Sequence, residues 1–246
     1  MADYDNRVLR GQTAAAGVID AGLRAHMLRV YNYMLIGLAL TGATAWLTAE
    51  TSFGQLFYHI NPNTGQMGMT LLGLIALFAP LGLVLFMSFR INRMSVGAAQ
   101  ATFWVYAALV GIGIAPILLV YTGASVAQVF FITAATFGAM SLWGYTTRSD
   151  LSGFGSFLFM GLIGVVIASI VNIFLHSAMM TFVISIIGVI VFTGLTAYDT
   201  QWIKESYVAN DDGTIAGRKA IFGALKLYLD FINLFVMLMQ LLGNRR

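Results

Sequence analysis

The chain has no cysteine and very little charge. With no cysteine among 246 residues, disulfides and thiolate metal sites are excluded. Charged residues make up 9% of the chain, against about 25% in an ordinary soluble domain. A soluble fold of this size needs a polar surface, and this sequence cannot supply one. The three histidines, His26, His59 and His176, lie far apart and show no ligand spacing, so no structural zinc site is expected. There is no His-Glu-x-x-His, no nucleophile elbow and no Gly-rich phosphate loop. No enzymatic activity and no resident cofactor are expected. The net charge is only +3, and the basic residues are scattered. Such residues set membrane topology rather than bind nucleic acid.

Long apolar runs dominate what is present: 59% of the residues are hydrophobic. Residues 1–29 are mixed polar, with Arg7, Arg10, Arg24 and Arg29, and read as an N-terminal segment ahead of a transmembrane domain over 30–246. The first apolar run, Val30–Ala49, has full spanning length rather than that of a signal h-region. No cleavable signal peptide is expected. Further spans are predicted over Gly68–Phe89, Val96–Val120, Ala124–Tyr145, Phe154–Leu175, Ala178–Tyr198 and Leu225–Leu242. Turn chemistry separates them: Asn61-Pro62-Asn63-Thr64-Gly65, then Tyr121-Thr122-Gly123, then Arg148–Gly153 with Ser152 as an N-cap, and Asn210–Gly213 in the longest late loop. The fold class is an all-α integral membrane protein of seven helices. A β-barrel would show strands of about 10 residues alternating apolar and polar, and these runs are continuously apolar. Gly161, Gly164, Gly111 and Gly113 read as packing positions where helices approach closely.

Basic residues alternate along the joints. The N-terminal segment, the two–three joint (Arg90, Arg93), the four–five joint (Arg148) and the six–seven loop (Lys204, Arg218, Lys219, with Lys226 just beyond) carry them. The one–two, three–four and five–six joints carry none. The positive-inside rule places the N-terminus in the cytoplasm. Seven crossings then put Arg245 and Arg246 outside, against the rule, unless helix seven does not cross fully.

Two carboxylates fall in apolar surroundings: Asp199 near the end of helix six, and Asp230 in Leu227-Tyr-Leu-Asp-Phe-Ile-Asn-Leu-Phe235. An ionisable group in such a run costs several kcal/mol unless paired or wet. The end of helix six and the start of helix seven share one side, so both aspartates are expected near the cytoplasmic mouth. If the helices touch, the carboxyls can share a proton and, when ionised, attract a hard cation such as Ca²⁺ in transit. Arg90 and Arg93 enter from the same side and are candidate partners. The plainer reading has Asp199 capping helix six and Asp230 bonded to Asn233 or a tyrosine. Asn172, Gln100 and Thr193 read as interhelical glue, and His59 and His176 as solvated joint residues. An intramembrane aspartyl protease also uses two aspartates, but Gly-x-Gly-Asp is not found before either one.

The segments Gly194-Leu-Thr-Ala-Tyr-Asp-Thr-Gln201 and Leu227–Phe235, supported by Phe137–Thr147, Asp150–Gly155 and the closing Gly243-Asn-Arg-Arg, resemble the Bax inhibitor-1 family, and in particular its bacterial members. The likeness runs from about Gly22 to the end. It implies a seven-helix fold with the last helix central and six around it. It also implies a pH-sensitive calcium leak controlled by an aspartate pair, which maps onto Asp199 and Asp230. An arginine near the start of helix three is implicated, matching Arg93 or else Arg90. The expected location is a bacterial inner membrane, with the lipid bilayer and cations as partners. The alternative is a non-conducting regulator that binds another membrane protein such as a protease. A proton-coupled transporter is disfavoured, because no repeat relates the two halves.

Overall fold

The computed structural model describes residues 2–60 and 67–246, and side chains outside 2–20, 60 and 67. Among the described residues seven helices are long and apolar enough to cross a membrane. They are α1 (Ala2–Glu50, apolar from Ala21), α2 (Leu71–Arg90), α3 (Val96–Val120), α4 (Gly123–Thr146), α5 (Ser152–Leu175), α6 (Ala178–Ser206) and α7 (Gly213–Leu242). A small antiparallel hairpin, β1 (Tyr58–Ile60) with β2 (Met67–Met69), lies between α1 and α2. The Asn61–Gly65 turn expected there lies outside the described residues.

Hydroxyl and carboxyl side chains start most of the helices by accepting free first-turn amides. Thr70 accepts from Gly73, Ser95 from Ala98, Thr122 from Ser125 and Ser177 from Met180. Helix α5 corrects the expected cap. Ser152 is its first helical residue, and Asp150 Oδ1 accepts the Ser152 amide at 2.8 Å.

Three helices outrun their apolar stretches. Helix α1 enters the bundle already helical before Val30, because no proline interrupts it. Helix α6 continues two turns past Tyr198, since Thr200, Gln201 and Ile203 are buried against neighbours. Helix α7 begins at Gly213, not Leu225, with Asp212 Oδ1 accepting from Thr214 and Ile215 at 2.8 Å. Its added turns bury Gly217, Ala220, Ile221 and Ala224 at the helical i, i+3, i+4, i+7 spacing.

Helix α7 is the axis of the bundle. Of its apolar window 67% is buried, against 11% for α5 and 17% for α2. It packs on α1, α3, α4 and α6, while α2 lies on α3 and α5 on α6. Four helices rather than six therefore form its main surround. Gly111 confirms a close approach, to the Thr41 carbonyl and Thr44 of α1, and Gly161 meets Val191. Gly164 faces open space, and Gly113 meets only Leu77, at 4.0 Å, so neither is a tight packing position.

The two ends of the bundle are distinct. At one end Arg218 reaches the Asn92 carbonyl, Lys204 the Tyr145 carbonyl and Gln201 the Ser149 carbonyl, gathering the α2–α3, α4–α5 and α6–α7 joints. At the other end the C-terminal tail seals the α3–α4 turn. Thr122 donates to the Asn244 carbonyl at 3.0 Å and Arg246 to that of Val120 at 2.9 Å. Helix α7 therefore traverses the whole bundle, and Arg245 and Arg246 stand at the end whose joints lack basic residues.

Candidate functional site

Asp199 and Asp230 come together in the α6–α7 interface, and both are buried, at 6% and 4% exposure. They lie deeper than the sequence suggests. Asp199 is seven residues before the end of α6, about 10 Å at 1.5 Å per residue. Asp230 is seventeen residues into α7, near its middle. Neither caps a helix. The two carboxyl groups line the same cavity, each near enough to act on the other's charge.

The cation at the site is Lys226. Its Nζ donates to Asp199 Oδ1 at 2.6 Å. It lies four residues before Asp230 on the same helix, so both side chains share one face of α7. The ammonium also sits 4.8 Å from the Trp202 ring centroid and 6.0 Å from that of Tyr198, where the ring faces favour a cation. Arg90 and Arg93, expected as partners, are exposed and pair with neither aspartate. The two ion pairs among the described residues are Lys226–Asp199 and Lys219–Asp211. The physical reason is depth: the arginines sit at the bundle end, whereas Lys226 is carried inward by the early start of α7. The i, i+4 spacing of Lys226 and Asp230 was the available signal for it.

Asp230 Oδ2 is buried and has no hydrogen-bond partner among the described residues. The amide of Asn233, expected as a partner, bonds the Leu229 carbonyl instead, at 2.8 Å. One ammonium thus faces two carboxyl groups, and the trio is neutral only when the pair holds one proton. Next to them Thr200, Ser141 and Tyr31 form a hydroxyl chain with oxygen separations of 2.9 and 2.6 Å, tying α6, α4 and α1. Asn172 joins the ends of α5 and α6 through Thr181 and Ser177, as glue should. The Thr193 hydroxyl, by contrast, is buried with no partner among the described residues. His59 and His176 are exposed in joints; His26 is buried against Tyr207.

The site forms part of the floor of a cavity of about 950 Å³. Helices α6 and α7 supply the floor, with Tyr198, Asp199, Lys226, Asp230 and Asn233; α2 and α5 supply walls of Leu81, Val84, Phe159 and Ile170. Among the described residues no group of three or more His, Asp or Glu side chains converges. A passing cation would meet two carboxylates, fewer than the 6–8 oxygens of a calcium cage.

The family model described as inhibitor of apoptosis-promoting Bax1 matches residues 23–246. A Rickettsia prowazekii protein is 46% identical over 246 residues, covering all of both chains. The inner membrane protein YbhL of Escherichia coli is 46% identical over 228 residues, 92% of this chain and 94% of its own. A Caulobacter vibrioides protein is 44% identical over 230 residues, 93% of this chain and 92% of its own.

Proposed function

The chain belongs to the family of inhibitors of apoptosis-promoting Bax1, multi-pass membrane proteins, and from that premise we propose that it is a pH-sensitive cation leak of a bacterial inner membrane, with calcium among its cations. One observation carries the reading: two buried carboxyl groups on adjacent helices act on each other's charge at a cavity floor, with a single ammonium to offset them. The inner-membrane location follows the name of the YbhL relative. The cytoplasmic N-terminus follows the positive-inside rule.

The gate is the proton. With one proton on the pair, the carboxyls bond each other, Lys226 balances the remaining charge, and the site is closed and neutral. Loss of that proton leaves a second buried carboxylate with no cation of its own, which costs several kcal/mol in an apolar span. The carboxyls then repel, and two hard oxygens become available to a cation. Lys226 takes the place that sequence reasoning gave to Arg93 or Arg90.

The test is calcium efflux from liposomes that hold the purified protein. Wild-type efflux is expected to rise with pH. Asp230→Asn, which mimics the one-proton form, should stay low and flat across that range, and Asp199→Asn should also lose the pH response. Wild-type flux and pH dependence in both variants would overturn the gate. A tightly bound protein partner, with no efflux from pure liposomes, would favour the non-conducting regulator.

A further inference from the structure

A second cavity, of about 510 Å³, opens at the basic end of the bundle and is bounded by Asn92, Trp202, Ser206, Arg218 and Lys219. It shares two wall residues, Ser88 and Phe222, with the large cavity over Asp199. The two are neighbours across these shared walls: a cationic head at the bundle end, and beside it a stem lined by α2 and α5 that reaches Ile173 and Met237 and has Asp199, Lys226 and Asp230 in its floor. Each part is within the range of about 300–1,000 Å³ that holds small ligands.

Among the described residues one carboxylate, Asp211, is paired in the head. Lys219 is paired with Asp211 at 2.6 Å. Arg218 gives one Nη1 hydrogen to the Asn92 carbonyl; among the described residues it has no carboxylate, and its Nε is buried without a partner. Arg90 and Arg93 flank Asn92 and are exposed. Trp202 supplies the kind of ring found at membrane interfaces. The stem has the opposite character. Its walls are aliphatic and aromatic, and α2 and α5 are the least buried spans, with Leu81, Phe159 and Ile173 exposed on the flanks. In a bilayer this groove faces hydrocarbon chains.

We propose that head and stem together hold one anionic phospholipid, its phosphate against Arg218 and Lys219 and one acyl chain laid along the stem. Charge complementarity fixes the head, and the sideways opening into the bilayer supplies the chain. Free phosphate would use the head and leave the stem unused. The seated chain passes over Asp199 and Asp230, so the lipid roofs the aspartate site. The inference stands apart from conduction, because it is read by lipid retention alone.

The experiment is native mass spectrometry of the whole chain in mild detergent, exposed to equimolar phosphatidylglycerol and phosphatidylcholine. One phosphatidylglycerol per chain is expected to be retained preferentially. Each basic residue near a membrane surface favours an anionic headgroup roughly fivefold, so Arg218→Gln and Lys219→Gln should each lower the preference by about that factor. Ser88→Phe narrows the neck without touching charge, and should reduce retention of both lipids while leaving the unfolding temperature unchanged. That variant also covers the case in which an arginine variant fails to fold. Equal retention of the two lipids by the wild type would overturn the proposal. So would retention indifferent to Ser88→Phe, or displacement of the lipid by glycerol phosphate at equal concentration, which would make the head a site for free anions.

Discussion

Lys226→Met leaves the buried Asp199 facing Asp230 with no cation at 2.6 Å. Removing one partner of a buried pair costs about 3 kcal/mol, seen as a lower unfolding temperature in detergent at neutral pH. In the Lys226→Met/Asp199→Asn double variant most of that loss should return, because with the proton on Asp230 no unpaired charge remains. Additive losses would show that the two residues do not interact. Asp150 gives a second prediction, outside the spans. Hydrogen bonds from the Ser152 side chain and backbone hold its carboxyl below the usual carboxylate range. A lowered value means that the stabilisation is present above the ordinary carboxylate range and is lost as pH falls through the lowered value. Amide exchange in the first turn of α5 should therefore quicken on acidification, and Asp150→Ala should remove that pH dependence. Both residues were legible as types, yet their partners were not. Lys226 reads as a cation at the mouth of helix seven, just beyond the loop, until α7 is known to start at Gly213.

Within one helix, α4, two glycines separate propensity from packing. Gly144 lies against the backbone of Ala197 on α6, whereas Gly138 faces open space. An added methyl at Gly138 should leave stability unchanged or raise it by about 0.5–1 kcal/mol through helix propensity. At Gly144 the same methyl meets a carbonyl that cannot turn aside, and the α4–α6 contact must open at a cost of about 1–3 kcal/mol. Thermal unfolding of Gly138→Ala and Gly144→Ala compares them directly; equal shifts would mean that α4 and α6 do not touch there. Helix ends were read correctly where the apolar run and the cap coincide, as in α3 from Val96 to Val120. In α6 and α7 the helices run past their apolar stretches, as where Thr200 and Gln201 of α6 are buried by neighbours rather than by their own hydrophobicity.

For the whole molecule, the contact between the C-terminal tail and the α3–α4 turn places Arg246 at the opposite end of the bundle from the α6–α7 loop. Because the chain has no cysteine, a single introduced cysteine is a unique label. With a membrane-impermeant maleimide, Arg246→Cys should be labelled in intact cells and Asp211→Cys only after the membrane is permeabilised. Labelling of both from one side would mean that α7 does not cross.

Composition and run length by themselves determined the lipid environment, the all-helical class and the number of spans, because hydrocarbon tolerates only backbone that satisfies its own hydrogen bonds. The two aspartates were visible for the same reason, as polar residues in runs that should have none. Only the tertiary structure decided what they face. An ion pair is set by where two side chains end up in space. That depended on α7 beginning twelve residues before its apolar run, which moves Lys226 inward to the aspartates and leaves Arg90 and Arg93 at the surface.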